Sequence, residues 1–166
     1  LFLLNNDGNI NLNDNVENIN KYFISYNLSG IELVNKKSNS FFNNIKSRFL
    51  LTSKVENLPL VSILVTTFNS EKWIEWSINS LLSQTYSNIE IIIIDDSSTD
   101  STISIVEKLK RKSDKIKLIK LSKNVGTYVA KNIGINLAKG EFITCQDSDD
   151  WAHPQKIMLQ VYPLLE

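Results

Sequence analysis

The chain reads as an α/β protein, a doubly wound and mostly parallel sheet preceded by an N-terminal extension that is part helical and part irregular. Two observations predict this. From Leu58 onward, four short, β-branched apolar runs recur: "PLVSILVTTFN", "NIEIIIIDDSS", "KIKLIKLSKN" and "EFITCQDSDD". Runs that are apolar throughout, rather than alternating, argue for strands buried on both faces, as in a parallel sheet. Helical patterns lie between these runs, and alternation of strand and helix implies right-handed crossovers. Residues 1–57 are the expected extension and residues 58–166 the expected sheet domain.

The extension opens with "NNDGNINLNDN", whose Asn, Asp and Gly content predicts a loop or mobile tail. Farther on, Phe41, Phe42, Ile45, Phe49 and Leu50 recur at helical spacing with Lys46 and Arg48 between them. This predicts an amphipathic helix packed on its neighbour, with a membrane-surface or partner role as the alternative. In the sheet domain the first strand runs out into Thr66, Thr67, Phe68 and Asn69. Ser70 is a candidate N-cap with Glu71 in the first turn. Trp73, Ile74, Ser77, Ile78, Leu81 and Leu82 then fill one helical face. Asp100 can cap the next helix, whose apolar face carries Ile103, Val106 and Leu109. A third helix offers Val129, Ala130, Ile133 and Leu137, and Gly140 suits its C-terminal stop. The last helix begins near Pro154 and continues through Ile157, Met158 and Val161, and Pro163 should disturb its end.

Composition narrows the function classes. The 166 residues carry 18 basic and 18 acidic side chains and are 42% hydrophobic, enough for one globular domain plus an appendage. A formal net charge of zero gives no field to draw in nucleic acid. One cysteine, Cys145, cannot form an internal disulfide and fits a reducing, cytoplasmic compartment. No apolar run approaches the ~20 residues of a membrane span. The opening "LFLLNNDGN" has neither an initiator Met nor the basic flank of a signal peptide, so the chain reads as part of a longer protein.

In doubly wound sheets, ligands bind beyond the carboxyl ends of the strands, where strand order reverses. Three of the four strands end in polar clusters, "TTFN", "DDSSTD" and "QDSDD". With the common order 3-2-1-4, strands 1 and 4 flank the reversal. Thr66, Thr67, Phe68 and Asn69 then face Asp147, Ser148 and Asp149 across one crevice, with Asp95 and Asp96 on the next strand. Converging carboxylates repel unless a cation joins them, and otherwise one takes up a proton. Hard oxygen ligands suit Mg²⁺ or Mn²⁺. If the chain stays extended through "DSD", Asp147 and Asp149 project to one side and Ser148 to the other. An ion held by two carboxylates completes its shell from water and a phosphorylated substrate, which makes a metal-bound diphosphate the natural ligand. The other reading of "DSDD" is a solvated acidic turn capping the next segment. Asp95 and Asp96 stay open in the same way, as helix caps or as acceptors for a nucleobase imide or ribose hydroxyls. Lys131 either reaches an anionic group or is a plain surface lysine.

Other chemistries lack their parts. Gly126 and Gly134 in "NVGTYVAKNIG" do not form a GxGxxG after a first strand. His153 is the only histidine, and no nucleophile stands at a recognisable spacing, because Ser148 lacks a GxSxG elbow. Cys145 reads as a small buried residue. Trp73, Trp76 and Trp151 read as packing residues.

The succession "VSILVTTFNSEKWIEWSINSLLSQTYSNIEIIIIDDSSTDST" and "NVGTYVAKNIGINLAKGEFITCQDSDDW" resembles the family 2 glycosyltransferases of the GT-A fold, over about residues 59–166. The resemblance rests on several motifs in order: a first strand ending in Thr-x-x-Asn, then S-x-L-x-Q-T-Y, D-D-S-S-T-D, N-x-G-x-x-x-A-K-N-x-G and D-x-D-D. It implies that Thr66, Thr67 and Phe68 line a nucleobase pocket, beside Asn69 at the strand end. Asp96 would contact the base, usually uracil, and Asp95 would serve the same turn. Lys131, where the family often has Arg, would lie near the nucleotide. Asp147 would lie near ribose and metal, and Asp149 would bind the Mn²⁺ or Mg²⁺ that bridges the diphosphate. Asp150 extends the motif. Ser97 stands where Gly is frequent.

The resemblance implies an inverting transferase that uses a nucleoside diphosphate donor, expected to be a UDP-sugar, and a glycan or other hydroxyl acceptor. Family members place the catalytic base well downstream of D-x-D, so no residue of this chain is assigned that role. The expected unit is the donor-binding half, cytoplasmic or peripherally attached to the inner face of the cell membrane. Two competing readings are a non-catalytic scaffold piece and a Mg²⁺-binding receiver-like domain. A receiver, however, wants its acidic clusters after the first and third strands, and here they follow the second and fourth.

Overall fold

The computed structural model describes residues 12–35, 45–47 and 58–165, and the chain divides into two units, Leu1–Thr52 and Ser53–Glu166. In the first unit, helix α1 (Leu12–Ser25) is followed by strand β1 (Ile31–Leu33), which pairs antiparallel with β2 (Ile45–Ser47). α1 begins inside the stretch expected to be loop. Its Asn and Asp residues are weak helix formers, but Val16 and Asn20 are buried on the face that meets β1. Asn20 acts as a substitute strand partner, its Nδ2 donating to Ile31 O at 2.9 Å and its Oδ1 accepting from Ile31 N at 2.7 Å. Ile45–Ser47 is strand, not part of the expected helix, because a short apolar run fits either period and the β1 edge supplies hydrogen-bond partners. Phe41, Phe42, Phe49 and Leu50 lie outside the described residues.

The second unit alternates strand and helix: β3 (Val61–Thr67), α2 (Ile74–Leu82), β4 (Ile89–Asp95), α3 (Thr102–Lys110), β5 (Ile116–Lys120), α4 (Thr127–Leu137), β6 (Phe142–Asp147) and α5 (Lys156–Val161). A 3₁₀ turn, Tyr162–Leu164, follows with Pro163 inside it. The four strands are parallel in the order β5-β4-β3-β6, the order expected from the sequence. The chain therefore moves one way across the sheet from β3 to β5 and back to the opposite edge for β6. With right-handed crossovers, α2 and α3 cover one face and α4 the other. On the α4 side, Leu64, Ile92, Ile94 and Ala130 form a buried cluster. α2 and α3 bury Ile74, Ile78, Leu81, Val106 and Leu109. No helix among the described residues is long and apolar enough to cross a membrane.

Several local expectations change. β3 and β4 are buried along their whole length, but β5 and β6 are not. They are the sheet edges, and on β6 Ile143 is 45% exposed and Cys145 is exposed rather than buried. α2 starts later than expected, after a turn in which Trp73 and Ile74 N–H donate to Ser70 O. Ser70 is therefore not the N-cap of α2, a place taken by Trp73, and its hydroxyl bonds Ser148 Oγ at 2.9 Å instead. Trp73, on that turn, is 39% exposed, whereas Trp76 is buried. α4 ends at Leu137, and Gly140 is not its left-handed cap. A Cβ on Gly140 would lie 2.5 Å from Ser62 N and 2.8 Å from Leu60 O, so glycine is required by close backbone approach.

Gly140 belongs to a polar lock at the end of the sheet remote from the strand C-termini. Buried Glu90 accepts from Ser62 Oγ at 2.5 Å, from Lys139 N at 2.7 Å and from Lys117 Nζ, and Gly140 N donates to Ser62 Oγ at 2.8 Å. Burial pushes the Glu90 carboxyl up, but the bonds from Lys117, Ser62 and Lys139 N–H and the Lys117 charge outweigh it and hold the group below its ordinary value.

Candidate functional site

The ends of β3, β4 and β6 and the start of α4 enclose a cleft of about 330 Å³, lined by Thr66, Thr67, Phe68, Asp96, Asn124, Gly126, Thr127, Asp147 and Ser148. It lies where strand order reverses, between β3 and β6, the position doubly wound sheets use. Of the residues singled out from sequence, Thr66, Thr67, Phe68, Asp96 and Asp147 line it together. Lys131 joins through an ion pair, its Nζ 3.2 Å from Asp147 Oδ1. Asn69, Asp95 and Asp149 are not among the lining residues.

Each of those three has a visible local setting. Asn69 turns toward the β4–α3 loop, where its Oδ1 accepts from Thr99 N at 2.8 Å and its N–H donates to Ser98 Oγ at 2.9 Å. Beside it, Glu71 N donates to Asp100 Oδ2 and Ser101 N donates to Glu71 Oε2, so the two loops lace together. Asp95 is buried and builds the turn after β4, its Oδ2 accepting from Ser98 N at 2.9 Å. Asp149 sits in a turn, not in extended chain. β6 ends at Asp147, and Asp150 N donates to Asp147 O at 3.1 Å across it. The alternation expected through "DSD" therefore stops at Asp147. Ser148 faces the cleft and shares a 2.9 Å hydrogen bond with Ser70 Oγ.

Asp96 holds one wall. It is only 4% exposed, and its two carboxylate oxygens accept from Val125 N at 2.7 Å and Gly126 N at 2.8 Å. Gly126 has φ of 86°, a left-handed conformation that glycine adopts without strain, and it turns the chain into α4. Thr66 Oγ1 shares a 2.8 Å bond with Thr127 Oγ1, tying β3 to the same helix start. A carboxylate offers about four acceptor positions, so Asp96 retains capacity toward a donor in the cleft. Asn124 and Thr127 join Gly126 on this wall without having been singled out by residue type, although "NVGT" directly before a helical pattern marks such a wall.

The opposite wall is the acidic turn. The Asp150 carboxyl is pushed up by burial first, then by the charges of Asp147 and Asp149. This is the mutual repulsion expected of the cluster, although it falls on Asp150. Lys156 offsets part of it. Burial lowers the Lys156 ammonium against the pull of Asp150, Cys145 and Asp147, and its Nζ donates to Gln146 Oε1 at 2.7 Å. Among the described residues, no group of three or more His, Cys, Asp or Glu is arranged to hold a metal ion. Carboxylate oxygens like those of Asp147, which lines the cleft, are the hard donors that Mg²⁺ or Mn²⁺ takes when water and substrate phosphates supply the rest, whereas Asp149 is not among the lining residues. His153 is engaged locally, its Nδ1 accepting from Gln155 N at 3.2 Å and its ring edge-on to Trp151.

Known proteins share this architecture. The sequence model for glycosyl transferase family 2 matches residues 62–166. The chain is 43% identical over 105 residues to the Escherichia coli UDP-Glc:alpha-D-GlcNAc-diphosphoundecaprenol beta-1,3-glucosyltransferase WfaP, covering 63% of this chain and 41% of WfaP. Among solved structures it resembles S. aureus TarS 1-349 in complex with UDP-GlcNAc, with 36% identity and a TM-score of 0.57, covering 61% of this chain and 30% of TarS 1-349. It also resembles the mannosyltransferase PcManGT from Pyrobaculum calidifontis in complex with GDP-Man and Mn²⁺, with 27% identity and a TM-score of 0.56, covering 61% and 30% of the two chains. The chain thus spans less than half of WfaP, and it spans 11% of the Pasteurella multocida chondroitin synthase, to which it is 33% identical over 107 residues.

Proposed function

The chain belongs to glycosyl transferase family 2, and from that membership we propose that it is the donor-binding part of an inverting transferase that uses a UDP-sugar. The observation that carries this reading is the cleft itself, which joins Thr66, Thr67, Phe68 and Asp96 on one side to Asp147 on the other. Support for the donor class comes from TarS, whose complex holds UDP-GlcNAc.

On this reading Phe68 and the two threonines receive the nucleobase, and Asp96 accepts from its imide N–H while holding the loop before α4. Asp147 lies toward the ribose and Lys131 offsets negative charge beside it. Asp147 and Asp149 hold Mn²⁺ or Mg²⁺, and PcManGT, whose complex contains Mn²⁺, supports that choice. When bound, the ion neutralises charge that builds on the departing diphosphate. The acceptor is a hydroxyl on a glycan or a related molecule, deprotonated by a base that we assign to the part of the family's length this chain does not span. The single cysteine suits the cytoplasm.

Isothermal titration of the chain with UDP, with and without Mn²⁺, tests the reading. Binding should need the metal, and Asp149→Ala should remove that dependence. Equal UDP affinity in the variant, with the Mn²⁺ requirement intact, would sink the metal assignment. No binding by the unaltered chain under either condition would sink the donor-site reading.

A further inference from the structure

The acidic turn is tied to Ser70 through Ser148, to its own strand by Gln146 Nε2 donating to Asp150 O at 3.0 Å, and to α2 and the residues just after it. Ser77, fully buried on α2, donates from Oγ to Asp147 O at 3.2 Å. Ser80, 6% exposed and one turn farther on, accepts from Ala152 N at 3.0 Å. Just past the helix, Gln84 uses both ends of its amide, with Nε2 donating to His153 O at 2.8 Å and Oε1 accepting from Ile157 N at 3.0 Å. Thr85 follows, its N and Oγ1 both donating to Pro154 O, at 2.8 and 3.0 Å. From α2 and the two residues after its last turn the chain is thus gripped at residues 147, 152, 153, 154 and 157, and Asp149 lies between the first two of these grips.

Resting on the donor-site reading, we propose that Ser77, Ser80 and Gln84 are positioning residues that set the separation of Asp147 and Asp149 for a divalent cation bound to a diphosphate. None of the three lines the cleft. A helix face needed only for packing would gain more from apolar side chains, because burying a hydroxyl or amide brings stability only when its bonds are made. Here each of the three, beside the bonds Ser80 and Gln84 make within the helix, directs a polar atom at the backbone of one segment, which fixes where that backbone runs whatever side chains it carries. Carboxylate sites for small cations tolerate misplacement of only about half an ångström, so a backbone held at both flanks of Asp149 is what such a site requires. This gives a role to the Ser, Gln and Thr of "S-x-L-x-Q-T-Y". The Tyr of that motif, Tyr86, instead donates to Pro59 O at 2.6 Å, outside the turn.

The test uses the full 166-residue chain and the variants Ser77→Ala, Gln84→Ala and Gln84→Glu. Amide hydrogen exchange is followed by mass spectrometry without metal, and UDP is titrated with and without Mn²⁺. Ser77→Ala and Gln84→Ala should speed exchange over residues 148–153 by about tenfold and leave Ile91–Ile94 unchanged, since local openings are separable from global ones. The same variants should weaken Mn²⁺-supported UDP binding about five- to tenfold and change metal-free binding little. Gln84→Glu, which keeps the acceptor for Ile157 N–H, should fall between. Wild-type exchange over 148–153 in both alanine variants overturns the proposal. So does an equal loss of UDP affinity with and without Mn²⁺, which marks a general structural role. If the unaltered chain binds no UDP, the failure belongs to the donor-site reading, and the exchange result alone decides whether α2 holds the turn.

Discussion

In an Asp96→Asn chain, one of the two oxygens that now receive Val125 and Gly126 N–H becomes an NH₂ group pointing at a donor. Hydrogen bonds to a charged acceptor contribute about 1.5–3 kcal/mol each. The variant loses one such bond and the charge that strengthens the other, at a site 4% exposed, where water cannot fully compensate. A loss of about 2–3 kcal/mol follows. For a unit the size of Ser53–Glu166 each kcal/mol moves the thermal midpoint by about 4 °C, so circular dichroism should show a fall of about 8–12 °C. Exchange at Val125 and Gly126 should quicken more than exchange in β4, because the loop before α4 is what the carboxylate holds. A midpoint within about 1 °C of wild type, with unchanged exchange at both amides, would refute the claim that Asp96 fixes this wall.

Three further outcomes follow from the geometry. Glu90 has a folded-state value below the ordinary glutamate value of about 4.3. Its contribution is therefore complete above that ordinary value and is lost as pH falls through it toward the depressed one. Urea midpoints measured from pH 7 down to pH 3 should drop less steeply in Glu90→Gln, which starts lower at neutral pH. Ser97 holds φ of 68°, a left-handed conformation unfavourable for any residue with a Cβ. Ser97→Gly should gain about 0.5–1 kcal/mol in chemical denaturation, the strain relieved less the added chain entropy of glycine. Gly140→Ala places a methyl 2.5 Å from Ser62 N, which is backbone and cannot swing away. A loss of about 2–3 kcal/mol is expected by the same assay, since overpacking forces the backbone apart and strains the Glu90 lock.

The sheet was legible because its signal is coarse and repeated. Ile91–Ile94, all fully buried, can belong only to a central strand or a buried helix, and the flanking "DDSS" and "SNIE" chose the strand. The strand order was legible only by analogy with the commonest doubly wound pattern, and the pairing of β3 with β6 bears it out. Edge effects were not legible. "EFIT" looks as apolar as a central strand, yet Ile143 and, just after it, Cys145 are exposed on β6, which is a sheet edge. The position of Ile45 was not legible either, since three residues of strand carry no period of their own. At the site, residue types were readable and directions were not. Asn69 sits at the right strand end, but its φ of 49° turns it away from the cleft toward Thr99. "DSD" reads as alternating only if the strand continues, and the Asp150-to-Asp147 turn ends it.

The two walls of the cleft are therefore held by different means. On the β4 side, Thr67 and Asp96 are nearly inaccessible, and their positions follow from the register of the central strands, in which Thr67 stands opposite Asp95. Moving them means disturbing the sheet, so substitutions there should alter stability and binding together. On the β6 side, the Asp147 side chain is 62% exposed, and the turn beyond it is held by hydrogen bonds rather than by the core, Ser148 to Ser70 and Asp150 O to Gln146 Nε2 among them. Ser77 and Ser80 on α2 and Gln84 beyond the helix end bond the backbone on either side of it. Such a turn can be displaced with little global cost, because local openings need not expose the core. Crowding carboxylates at the end of a strand is tolerable under these conditions. Their repulsion is carried by an exposed segment, Lys131 and Lys156 screen it, and the buried sheet is not required to absorb it.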